Sequence, residues 1–362
     1  MTELPLEQTN LQSLVERPFG EANRQLLLDE YFTDHVSVTP ASAWRHIYHL
    51  LMWLDPTTGL AHCYESDKCQ PGRPWYARSL AFHTWVAHSL GVTAMDLGSH
   101  IDYLFKRATL DLTRATEARE RRYRIQAQLQ RARHADGSVP MPGDDPELRE
   151  IITSVLGPWL RHEPSTDAWQ HLSRRTRAYI GQENKRKNLV GEGFEDTLAA
   201  ILSKIEGLQL LYKIYIRPNL HDLPGFYPPR QGDKTRQVDL ALIRRTDNHR
   251  ILVTCKWSIR SDREEQFATD FNAYSRLESS RQRFDYVLIT NEFDPARLAA
   301  ACEVMEGANQ LFSSVVHVNP SGPLAAYDGA VQAPGRGIER AKGHVTSGRL
   351  IGVEKWLTAI AG

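Results

Sequence analysis

Residues 236–277 constrain the fold of this chain more than any other stretch. Two apolar runs, 236–243 and 250–257, are rich in Val, Leu and Ile and flank Arg244-Arg-Thr-Asp-Asn-His249, which is polar and turn-forming. That pattern predicts two antiparallel strands joined by a short turn. Beyond them Phe267, Phe271, Tyr274 and Leu277 recur at helical spacing and predict a helix with one apolar stripe. With a period of two, Thr254 and Lys256 share one face of the second strand, while Val253, Cys255 and Trp257 share the other. Asp239 on the first strand can then face Lys256 across the pair.

An ammonium in an otherwise apolar strand needs a partner, because burying it unpaired is costly. A carboxylate and an ammonium on adjoining strands suit phosphodiester hydrolysis. That chemistry uses a hard divalent cation on oxygen ligands to polarise the phosphate and activate water, with a second positive charge near the scissile group. Position 254 is Thr and supplies no negative charge, so a further carboxylate must come from elsewhere. Asp270 lies one turn from both Phe267 and Tyr274, toward the inner stripe of the helix. Glu195, in GEGFEDTLAAILSKI, borders the apolar face formed by Leu198, Ala199 and Leu202, whereas Glu192 is more peripheral.

The run KWSIRSDR, with Asp239 upstream, non-acidic Thr254 before Cys255-Lys256, and Asp270 on the following helix, resembles the CCGG family of type II restriction endonucleases. The resemblance covers roughly residues 190–300. It implies the α/β PD-(D/E)XK nuclease fold, a mixed sheet flanked by helices, and Mg²⁺-dependent double-strand cleavage at a palindromic site with a CCGG-type core. By the same resemblance Asp239 and Asp270 hold the metal, Glu195 assists and Lys256 completes the catalytic set. The family's displaced acidic residue is usually Glu, where this chain has Asp270, and its Pro before the first Asp is replaced by Val238. In the family an Arg-x-Asp/Glu-Arg cluster reads the core. Arg260, Asp262 and Arg263 match it, guanidinium groups donating to guanine O6 and N7 and the carboxylate accepting from cytosine N4. The resemblance also implies a homodimer or higher oligomer, one subunit per half-site. A cognate DNA methyltransferase and a role in restriction-modification in a prokaryotic cytoplasm follow from it too.

The same residues have plainer readings. Asp262 and Glu265 have capping-box spacing, so Asp262 could simply start the helix, and the arginines could pair with Glu264 and Glu265. Two rival functions follow: a sequence-specific DNA-binding protein without cleavage, and a repair or mobile-element nuclease that selects DNA structure.

Charge argues against bulk, nonspecific coating of nucleic acid, since 44 basic residues balance 44 acidic ones. Phosphate contacts must come from local clusters such as Lys185-Arg-Lys187, which reads equally well as a solvated turn. No run approaches the ~20 apolar residues of a membrane helix. MTELPLEQTN lacks the features of a secretory signal, so a cytoplasmic location and no membrane partner are expected. The cysteines, Cys63, Cys69, Cys255 and Cys302, form no disulfide framework. His62, Cys63, Cys69 and His83 match no zinc-ligand spacing, and buried thiols are the expectation.

With 362 residues and 41% hydrophobic content, the chain is expected to form two domains: a mainly helical one over 1–180, with accessory, DNA-contacting or dimerising roles, and the nuclease domain over 181–362. Helical periods cover 42–54, 78–108, 109–134 and 147–181, with no obvious strand pair in the first half. The arginine-rich helix through Arg119, Arg121, Arg122, Arg124, Arg131 and Arg133 could follow phosphates, close a dimer or form a solvated face. Downstream, 284–291 and 313–318 read as strands and 295–302 as a helix. Residues 331–343 read as loop, and 347–361 as closing in a helix.

Overall fold

The structure, a computed structural model, describes residues 18–35, 37–55, 60–62, 71–73, 75–110, 112–134, 145–162, 164–229, 232, 235–259, 264–328 and 336–362. It is α/β, with a six-stranded mixed sheet flanked by helices and a helical N-terminal region. Contacts gather the residues up to Leu27 with Phe105–Leu189 into one compact unit, and Leu28–Leu104 with Val190–Gly362 into another. The grouping follows packing, not chain order.

Among the described residues the larger unit holds ten strands. In chain order they are β1 (Trp53–Asp55), β2 (Leu60–His62), β3 (Tyr212–Ile216), β4 (Leu240–Arg244), β5 (Arg250–Lys256), β6 (Asp285–Thr290), β7 (Met305–Glu306), β8 (Asn309–Gln310), β9 (Ser314–His317) and β10 (Leu350–Gly352). The main sheet runs β10-β9-β6-β5-β4-β3. β3, β4 and β5 form an antiparallel meander, and β5, β6, β9 and β10 are mutually parallel.

The expected hairpin is β4–β5. Asn248 closes its turn in the left-handed region (φ 58°), which Asn tolerates better than most residues. Helices cover the parallel strands, so β5 and β6 are buried along almost their whole length. Leu252, Tyr286, Leu288 and Val315 share one core with Phe267 and Tyr274 of the helix Glu264–Leu277, whose inner stripe is the one the sequence predicts. Thr254 and Lys256, two and four residues past Leu252, continue that face.

Several elements differ from the sequence expectation. β1 and β2 form an antiparallel pair in the first half, each too short for a period to register. The apolar period over 78–108 is cut after the helix Tyr76–Leu90 by Gly91, a left-handed cap at φ 73°. Lys185–Lys187 is no turn, because one helix runs unbroken from Thr166 to Lys204. Residues 336–343 are helical within Arg336–Thr346, where Ile338 and Ala341 are buried; residues 331–335 lie outside the described residues. The last segment is β10 followed by the helix Val353–Ala361.

The smaller unit contains the arginine-rich helix Leu112–His134 and the helix Pro146–Leu156. Asp145 caps the latter by accepting from the Leu148 N–H at 3.0 Å, with Pro146 in the first turn.

Candidate active site

The β4–β5 register sets Leu240 opposite Val253, so Asp239, one residue before β4, lies opposite Thr254. The Asp239 carboxylate accepts three hydrogen bonds, all on Oδ2: from Lys256 Nζ at 2.8 Å, the Cys255 N–H at 2.7 Å and Thr254 Oγ1 at 3.2 Å. Thr254, which supplies no negative charge, is therefore a hydroxyl donor that orients a carboxylate. Three donors on one oxygen fix the carboxylate rotamer, and Oδ1 accepts none from the described residues.

Glu195 sits on the helix Thr166–Lys204 among buried Phe194, Leu198, Ala199 and Leu202, as its spacing predicts, while Glu192 is exposed. Phe194 packs edge-on against Trp257, just past β5, with ring centroids 5.2 Å apart. That contact ties the helix to the strand carrying Lys256. Asp270 projects from the helix Glu264–Leu277, and Arg236 Nη1 lies 3.6 Å from its Oδ1.

These groups share one electrostatic field. Burial and the nearby Asp239 charge push Glu195 up to about 7, against the opposing pull of Arg217 and Lys256. Burial disfavours the Lys256 ammonium, but Asp239 and Glu195 more than offset it, so its pKa is raised and it stays protonated at neutral pH. Burial also raises Asp270, opposed first by Arg236 and more weakly by Lys256. The side chains of Glu195, Asp270, Asp239 and Lys256 are 13%, 21%, 24% and 25% exposed, enough for each to meet a ligand from solvent.

Arg217 is the residue that sequence reading missed. It directly follows β3, and its guanidinium pairs with neighbouring carboxylates: Nη1 with Glu195 Oε2 at 3.1 Å and Nη2 with Asp196 Oδ1 at 2.7 Å. The Asp196 side chain is completely buried. Arg217 also adopts φ 47°, a left-handed conformation uncommon outside glycine. Its N–H donates to the Asp239 carbonyl at 2.9 Å, and Gln237 Nε2 donates to its carbonyl at 2.8 Å.

Carboxylate oxygens are hard donors suited to Mg²⁺. Among the described residues the adjoining thiol is Cys255, which burial, Asp239 and Glu195 push well up and which strand alternation turns to the face opposite Lys256. Among the described residues no three His, Cys, Asp or Glu side chains form a ready metal cage. Mg²⁺ does not need one, since it commonly takes one or two protein carboxylates and keeps water and phosphate oxygens in its remaining positions. The donor set therefore fits that ion.

Arg260, Asp262 and Arg263 lie outside the described residues, as do Cys63 and Cys69. Among the described residues no helix is long and apolar enough to cross a membrane.

No protein-family model matches the chain, and no curated protein matches its sequence. Among solved structures the chain is similar to restriction endonuclease PspGI in a complex with substrate DNA, at a TM-score of 0.35 and 8% identity, over 85% of this chain and 96% of that one.

Proposed function

We propose that the protein is a Mg²⁺-dependent type II restriction endonuclease of the PD-(D/E)XK kind, acting as a homodimer or higher oligomer on palindromic duplex DNA with a CCGG-type core. The observation that carries the chemistry is the Asp239–Lys256 pair, held at 2.8 Å with Glu195 and Asp270 in the same electrostatic field. Lys256 contacts Asp239 directly, and its charge also acts on the partly buried Glu195 and Asp270. A site that must take up a dication has reason to gather such carboxylates, because excess negative charge becomes favourable only once the cation binds.

Asp239 and Asp270 hold the metal in this reading, and Glu195 assists directly or through a bound water. The ion, when bound, lowers the pKa of the attacking water and neutralises phosphate charge. Burial disfavours the Lys256 ammonium, but the adjacent Asp239 carboxylate more than offsets it and raises its pKa. Its ammonium would orient the nucleophilic water or stabilise charge on the phosphorane-like transition state. Thr254 and the Cys255 N–H hold Asp239 in one rotamer, so its orientation is set before the substrate arrives.

The CCGG core rests on the likeness of Arg260, Asp262 and Arg263 to the family's reading cluster. The run begins four residues after Lys256, which couples base recognition to the scissile phosphate along one stretch of backbone. The cognate methyltransferase follows from the same likeness.

The test is digestion of a long unmethylated DNA with purified protein and Mg²⁺, with fragment ends sequenced. Discrete cuts at CCGG-containing sites are expected. Smeared fragments would refute sequence specificity. Binding to such sites with no cutting would favour the non-catalytic DNA-binding reading instead.

A further inference from the structure

Arg217 has a geometry that an ordinary ion pair does not require. Its side chain grips two successive carboxylates on the helix Thr166–Lys204, while its backbone N–H is bonded to the carbonyl of Asp239 on the sheet. One residue thus spans the gap between Glu195 and Asp239. Both of its backbone groups are pinned to 237–239, by the bond to the Asp239 carbonyl and by the Gln237 amide. Those bonds hold it at φ 47°, immediately before Pro218. A non-glycine residue kept in the left-handed region and over-determined by its surroundings is the kind of strain that collects at functional sites.

We propose that Arg217 is a positioning residue for the metal site, setting the separation and orientation of Glu195 relative to Asp239. The inference rests on the nuclease reading and adds to it the part that determines the metal geometry. The ion pair with Asp196 beside the hydrogen bond to Glu195 favours Arg at this position. Asp196 is buried and its charge lies 2.7 Å from one arm of the guanidinium as an ion pair, while the other arm donates a hydrogen bond to Glu195 at 3.1 Å. A lysine ammonium is a point donor and cannot hold both carboxylates in a planar fork. Mg²⁺ demands near-octahedral geometry at short distances and is sensitive to a misplaced carboxylate. Partners that orient metal ligands without touching the metal typically change affinity by about 10–100-fold when removed.

The experiment compares wild type with Arg217→Lys in three measurements. The first is the MgCl2 concentration at the midpoint of the metal-dependent rise in Tm without DNA. The second is the Mg²⁺ midpoint for cleavage. The third is cleavage with MnCl2 in place of MgCl2. The variant is expected to need roughly 10-fold more Mg²⁺ in the first two and to recover more activity with Mn²⁺. An unchanged Mg²⁺ midpoint alongside a lower metal-free Tm would make Arg217 a purely structural ion-pair residue and overturn the proposal. If Arg217→Lys fails to fold, Arg217→Gly combined with Asp196→Asn removes the guanidinium, its buried counter-charge and the backbone strain together. That double variant carries the same expectation. A wild-type protein whose Tm ignores Mg²⁺ and which cuts no DNA would refute the nuclease reading itself. Wild type and variant with equal Mg²⁺ midpoints would refute only the role of Arg217.

Discussion

Replacing Glu195 with Gln is expected to stabilise the metal-free protein at alkaline pH. Burial and the Asp239 charge raise the Glu195 pKa from its ordinary 4.5 to about 7. The folded protein therefore holds this proton more tightly than the unfolded chain. Stability contributed by the group is fully present below about pH 4.5 and is lost as pH rises through about 7. At about 1.4 kcal/mol per pH unit, the loss amounts to at most about 3 kcal/mol by pH 8. Gln mimics the protonated acid at every pH and avoids that loss. Urea unfolding in EDTA from pH 5 to pH 8 measures the difference. The variant should exceed wild type by less than about 1 kcal/mol at pH 5 and by up to about 3 kcal/mol at pH 8. A gap that is independent of pH, or a variant less stable than wild type at pH 8, would refute the argument that Glu195 is held in the site against its charge.

Other expectations follow from the same geometry. Mg²⁺ binding at pH 7 should release about half a proton from Glu195, falling toward none by pH 9 and absent in Glu195→Gln; calorimetry in buffers of different ionisation enthalpy reads this directly. Asp239→Ala removes the acceptor of the Cys255 N–H and the counter-charge of Lys256, so urea unfolding should show a loss of about 1–3 kcal/mol, and single-turnover assays should show no cleavage. Glu278→Ala removes the counter-charge of Arg250, whose side chain is 1% exposed at the other end of β5 and keeps only its hydrogen bonds to the Gly225 and Gln282 carbonyls. It should destabilise by about 3 kcal/mol while leaving the Mg²⁺ midpoint unchanged. Arg263→Ala should cost about 1–3 kcal/mol of discrimination between a CCGG duplex and one with a substituted guanine, seen as a smaller ratio of cleavage rates.

What the sequence made legible was local. The β4–β5 hairpin, the Lys256 face and the stripe of the helix Glu264–Leu277 each follow from a period of two or 3.6 over a few residues. The approach of Lys256 to Asp239 follows from the hairpin register. The hydrogen bond from Thr254 to Asp239 was not legible, because it depends on which residue lies directly across the ladder. Arg217 was illegible for a stronger reason. Its two carboxylate partners and the Asp239 carbonyl lie far from it in sequence, and a single Arg after a strand has no pattern to give it away. The edge strands β3 and β10 were missed because five and three residues beside apolar helical segments do not establish a period. The helix Arg336–Thr346 contradicts a composition rich in Gly and Arg, because burial of Ile338 and Ala341 outweighs weak local propensity.

Single-turnover cleavage of a labelled duplex with a CCGG core, by wild type and by Lys256→Ala under saturating Mg²⁺, tests the central claim most directly. Binding of both proteins to the duplex is measured in parallel. The account predicts cleavage by wild type, loss of cleavage by at least about 100-fold in the variant, and binding that is nearly equal. Comparable cleavage by Lys256→Ala would contradict it, because the ammonium held against Asp239 would then have no part in the chemistry.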